Sequence, residues 1–154
     1  MRRANRPKLN EDGVAELTIA DIKIHMVQDL KKLKKGASPD ECEYEAVDVV
    51  YECQGVSGPF TIKDRCGTVL NPEPVDEKYR KPVYNKYTTL LLRLGLITED
   101  ELKATDDMTD EQFNEFKTPV VERLEASKGV VLKSKLRKVD GYYRVDIGSI
   151  LMAE

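Results

Sequence analysis

The sequence predicts a single α+β domain, mainly β, and three observations carry that prediction. Val139-Asp-Gly-Tyr142 lies between two alternating runs, and Asp-Gly supplies the positive φ angles of a tight hairpin turn. Three segments before residue 70 are rich in β-branched and aromatic residues with period-2 alternation. Between these and the hairpin the apolar period changes to 3.6.

Met1 to Gly13 reads as a flexible basic arm, because it is polar, contains Pro7 and Gly13 and has no apolar period. Residues 14–154 form one domain, which suits a chain of 154 residues. The first strand falls near Leu17–Val27, where Ile22, Ile24 and Met26 alternate with Lys23 and His25. LKKLKKGASPDE then reads as a basic loop carrying Lys31, Lys32, Lys34 and Lys35. CEYEAVDVVYECQG is the second strand. Its phase change near Ala46 and Val47 predicts either a bulge or a second half covered on both faces. Tyr44 and Tyr51 are in opposite phases, so one is core and the other exposed. In the third strand, PFTIKDRC, Phe60, Ile62 and Cys66 share one face, and Thr61, Lys63 and Arg65 share the other.

Three prolines break regular structure in NPEPVDEKYRKPVYNKY. Tyr84, Tyr87, Leu91 and Leu94 then lie on one helical face, and Gly95 stops that helix. Thr98 with Glu101, and Thr109 with Gln112, form capping-box patterns that start two further helices. The second carries Phe113, Phe116, Val120 and Leu124 and is interrupted or bent at Pro119. GVVLKSKLRKV and YYRVDIGSIL close the chain as a hairpin pairing Val139 with Tyr142, Lys138 with Tyr143, Arg137 with Arg144, Leu136 with Val145 and Lys135 with Asp146.

Three strands, a helical insertion and two more strands are in the order of a five-stranded OB-like Greek-key barrel. In that architecture the loop after the first strand and the last hairpin flank one face, which would bring the lysine cluster and the arginine pair to one side. Like charges directly opposite on a hairpin cost a few tenths of a kcal/mol, and phosphates would supply the missing counter-charge. Tyr142 would offer a ring to an unpaired base. The candidate nucleic-acid-binding residues are therefore Lys31, Lys32, Lys34, Lys35, Lys63, Arg65, Lys133, Lys135, Arg137, Tyr142 and Arg144.

The formal net charge of −3 does not oppose this, because the charge is segregated. Arg2, Arg3, Arg6 and Lys8 are unopposed in the arm, and six bases face only Asp140 between Lys128 and Arg144. Between Thr98 and Glu125 ten acids face three bases, a region suited to a protein partner. No apolar run is long enough for a membrane span, and MRRANRPK lacks the apolar stretch of a signal peptide, so a cytoplasmic protein is expected. Cys42, Cys53 and Cys66 are too widely spaced for a disulfide framework, and with His25 they lack the close ligand pair of a zinc knuckle. There is no Gly-rich phosphate loop, no HExxH and no cysteine or serine paired with a histidine base, so the expectation is a non-enzymatic chain with no metal or other cofactor.

The segments ECQGVSGPFTIKDR, LLLRLGLI and LEASKGVVLKSKLRKVDGYYRVDI together resemble phage-encoded OB-fold single-stranded DNA-binding proteins. The resemblance implies a single-stranded DNA partner, with RNA left open, in phage-type replication or recombination within the host cytoplasm, and it allows a homo-oligomer. The alternative is a structural or adaptor protein of a virion or multiprotein assembly, in which the arginines meet partner carboxylates. A small phage regulatory or anti-defence protein is a further alternative.

Overall fold

The computed structural model describes residues 5–68, 85–105 and 108–152. Met1 to Ala4, most of the proline-rich stretch including Tyr84, and the side chain of Phe113 fall outside the described part. The elements are β1 (Ala15–Gln28), α1 (Leu30–Lys34), β2 (Glu43–Gly55), β3 (Gly58–Gly67), α2 (Lys86–Arg93), α3 (Glu99–Ala104), α4 (Asp110–Glu125), β4 (Val131–Ser134), β5 (Leu136–Val139), β6 (Tyr142–Val145) and β7 (Leu151–Met152). Five strands form one antiparallel sheet in the order β3-β2-β1-β4-β7, while β5 and β6 pair only with each other. The chain is thus mixed α and β, mainly strand, and among the described residues no backbone ladder closes it into a barrel.

The first strand carries a bulge that the sequence places elsewhere. Ile19 pairs with Tyr51 and Asp21 with Val50, so Ala20 is the extra residue. A one-residue insertion exchanges the two faces of a strand, which is why Ala15, Leu17 and Ile19 are buried together with Ile22. It also explains why the segment partly fits a helical period. No bulge occurs in β2, where the register runs unbroken through Ala46 and Val47 and both residues are buried. Tyr51 is the core tyrosine and Tyr44 the exposed one.

The inner face of the sheet, with Leu17, Val47, Tyr51 and Cys53, is covered by Tyr87, Leu90 and Leu91 of α2, by Leu94 at its C-cap, and by Val120 and Leu124 of α4. Asn85 caps α2 through Thr88, and the predicted capping boxes at Thr98 and Thr109 both form. Of the two outcomes expected at Pro119, an interruption does not occur: the helix continues from Asp110 to Glu125 with the proline inside it. Pro119 leaves one carbonyl of the preceding turn without its helical donor, and the buried Val120 and Leu124 keep the segment docked. All three cysteines are buried free thiols. Burial pushes the Cys66 thiol up to about 12, so at neutral pH it stays protonated and is a poor nucleophile.

The closing hairpin has the predicted register at four of the five expected pairs, from Leu136/Val145 to Val139/Tyr142; the fifth, Lys135 with Asp146, falls outside the ladder and keeps a single backbone bond, from the Asp146 amide to the Lys135 carbonyl. Asp140 at φ +50° and Gly141 at φ +83° form its turn. The strand before it does not run straight into the hairpin. The buried Ser134 hydroxyl donates to the carbonyls of Lys135 and Asp146 and lies 3.2 Å from Ser149 Oγ, which in turn accepts from the Lys135 amide at 2.9 Å. This serine pair bends the chain at Lys135, taking it out of the main sheet.

From Asn5 the chain expected to be a free arm is hydrogen-bonded to the β2–β3 turn. Asn5 donates to the Gly58 carbonyl and accepts from the Ser57 amide, and Lys8 and Val56 exchange backbone bonds with Gln54 and Arg6. A side chain on Gly55 would collide with Asn5 Oδ1 and with the Gly58 carbonyl, 2.7 Å from where its Cβ would sit. Among the described residues no helix is long and apolar enough to cross a membrane.

Candidate nucleic-acid interface

The site lies where β6 approaches the outer edge of β3. Antiparallel strands turn alternate residues toward each neighbour. On the side of β3 away from β2, the Lys63 carbonyl accepts from Arg144 Nη1 at 2.9 Å and the Arg65 carbonyl from Lys86 Nζ at 3.0 Å. The Arg65 amide donates to Asp64 Oδ1 at 3.0 Å. Side chains thus cap an edge that a closed barrel would pair with backbone, and exposed edges need such caps to avoid unwanted pairing. Thr61 faces the same way two residues earlier, and among the described residues nothing caps its backbone there.

Over this uncapped stretch runs a groove of about 440 Å³ lined by Phe60, Lys63, Lys138, Tyr142, Tyr143 and Arg144, among others. Phe60 and Tyr143 meet with ring centroids 6.0 Å apart and planes tilted by 51°. Lys138 Nζ sits 5.5 Å from the Tyr143 ring centre, within cation–π range. Tyr142 is 70% exposed at the groove's rim, so its ring is open to an incoming ligand.

Of the residues the sequence selects, Lys63, Tyr142 and Arg144 share this groove. Arg137 faces Arg144 as predicted but lines an adjoining recess with Arg65. Arg144 does not simply repel Arg137, since its guanidinium also bonds to Lys63. Arg65 is held by Asp48, with Nε at 2.6 Å from Oδ1 and Nη2 at 2.9 Å from Oδ2.

The remaining selections lie elsewhere. Lys133 is paired across from Glu16 and lines a separate depression with Lys8 and Asn10. Lys135 is exposed at the serine-held bend. Lys31, Lys32 and Lys34 belong to a short helix rather than a loop, capped by Asp29, and Lys35 ends it. That helix follows the end of β1 at Gln28, paired with Glu43, whereas Lys63 pairs with Val50. Seven residues of β2 separate the two positions, about 23 Å of strand, so the lysines do not join the groove.

Phe60, Lys138 and Tyr143 also line the groove, and the sequence does not select them. The sequence signal for two of them was present, because the hairpin register already placed Lys138 opposite Tyr143.

The outer face of the sheet carries a His25–Asp48–Arg65 chain, with His25 Nε2 2.6 Å from Asp48 Oδ2. The Arg65 hydrogen bond, aided by His25 and opposed by burial, holds the Asp48 carboxyl at about 2. A carboxyl held below its unfolded value of about 4 stabilises the fold above that pH and loses the contribution as pH falls toward 2. Asp48→Asn is therefore expected to lower stability at neutral pH and to flatten the stability profile between about pH 4 and 2, measured by denaturant unfolding across that range. An unchanged profile would contradict the pairing. Of the set weighed for zinc, the three cysteines are in the core and His25 is engaged with Asp48. Among the described residues no group of three or more His, Cys, Asp or Glu side chains is placed to hold a metal ion.

Compared with protein-family models, with curated proteins and with solved structures, the chain gives no match in any of the three.

Proposed function

We propose that this protein binds single-stranded nucleic acid, with DNA as the expected partner, in the groove between β3 and β6, and does so without chemistry of its own. One observation carries the reading: three aromatic rings, Phe60, Tyr142 and Tyr143, and three cations, Lys63, Lys138 and Arg144, share one groove beside an uncapped strand edge. Unpaired bases stack on exposed rings whatever their identity, and cations at the rim track the phosphates. A duplex keeps its bases stacked internally and gains nothing from the rings. The setting that the resemblance suggests is phage replication or recombination, with the acidic helices left to a protein partner.

Titration of the full chain with labelled single-stranded and duplex oligonucleotides tests this. Single strands are expected to bind more tightly, with log K falling by about 2 per decade of salt, about 0.7 for each of three phosphates. Equal binding of duplex, or no binding at low salt, would reject the reading in favour of the assembly-protein alternative.

A further inference from the structure

We propose that the recess behind Arg144 is a subsite for the terminal phosphate monoester of a bound single strand, an inference that rests on the groove being the strand's site. The recess, about 360 Å³, is bounded by Asp64 and Arg65 of β3, Lys86 at the start of α2, Arg137 of β5 and Arg144 of β6. Its charges divide into committed and uncommitted ones. Arg65 is committed to Asp48, and Lys86 to Asp64. Asp64 is only 7% exposed; its Oδ1 is bound by Lys86 and the Arg65 amide, and its Oδ2 is buried with no hydrogen-bond partner among the described residues, so its charge toward the recess is offset by Lys86.

Arg137 and Arg144 remain. They are directly opposite in register, and among the described residues neither forms an ion pair. Arg144 uses one N–H on the Lys63 carbonyl and keeps the others; Arg137 has its whole fork available. Two uncommitted positive charges match a phosphate monoester, which carries about −1.5 to −2 at neutral pH, better than an internal diester with a single charge. Guanidinium forks also fit phosphate oxygens bidentately. Because Arg144 borders both the groove and the recess, a strand stacked on Tyr142 can place its end group between the arginines. This pairing also supplies a use for a like-charge pair that hairpin physics disfavours.

The test uses the full chain and single strands of about ten nucleotides bearing a 5′-phosphate, a 3′-phosphate or neither, with inorganic phosphate as competitor. One end-phosphorylated strand is expected to bind about tenfold more tightly than the unmodified strand. Arg137→Ala, at an exposed position that leaves the fold intact, should erase that advantage, and Arg137→Lys should retain part of it. Inorganic phosphate should erase it too, lowering affinity for the unmodified strand by no more than Arg144→Ala does. Three strands binding alike would overturn the inference while leaving the groove reading in place, and so would an advantage that survives Arg137→Ala. Inorganic phosphate bound with no end effect would mean a phosphate site unrelated to strands, and no binding of any strand would reject groove and subsite together.

Discussion

Lys86→Met is expected to cost the fold about 2 to 3 kcal/mol and lower its melting temperature by about 4 to 12 °C. Asp64 sits on the inner face of β3 among Ile62, Cys66 and Tyr51, and Lys86 is the cation bonded to it. Removing one partner of a buried pair leaves the other charge without compensation, which costs more than the pair's net worth. The expected loss is below that for a wholly buried pair because Lys86 is 44% exposed. The same variant frees the Arg65 carbonyl, which adds to the loss. Adding Asp64→Asn should recover more than half of the deficit, since a neutral amide needs no counter-ion. Denaturant unfolding of both variants checks this, and parent-like stability of Lys86→Met would contradict it.

Tyr142→Ala is expected to weaken single-strand binding by about 5- to 150-fold, the range for one lost base–ring stack. The fold should be untouched because the ring is exposed, and the salt slope should be unchanged because stacking releases no counterions. Arg144→Ala should behave differently on both counts. Its salt slope should be shallower by about 0.7. It should also cost about 1 kcal/mol of stability, because the guanidinium bonds to the Lys63 carbonyl on the β3 edge. Relief of the like-charge pair alone predicts a neutral or stabilising change, so the sign of the stability effect separates the two physical pictures. Parent-like affinity of Tyr142→Ala would remove stacking from the account.

What the sequence made legible was local. Asp140-Gly141 set the turn, and the turn fixed the register of the four pairs from Val139/Tyr142 to Leu136/Val145. Thr98, Glu101, Thr109 and Gln112 announced two helix starts through reciprocal bonds spanning three residues. What remained hidden depends on long-range contacts. Ser134 and Ser149 meet across fifteen residues and break a strand that reads as continuous. Arg144 and Lys63 are 81 apart, so nothing in either segment says that β6 docks on β3 through side chains in place of a ladder. Alternation assigned Phe60 to the apolar side of its strand and could not show that the core gives way to an open groove at that end. The glycine and proline that follow the lysine cluster suggest a loop, although Asp29 is positioned to cap a short helix there.

Photocrosslinking of the intact chain to a single-stranded oligonucleotide, with the adducts mapped by peptide mass spectrometry, tests the central claim most directly. Adducts confined to the segments Gly58–Lys63 and Lys138–Arg144, and lost on competition with unlabelled single strand, are the predicted result. Adducts on Leu30–Lys34 or on Asp110–Glu125, with none in the groove segments, would contradict it.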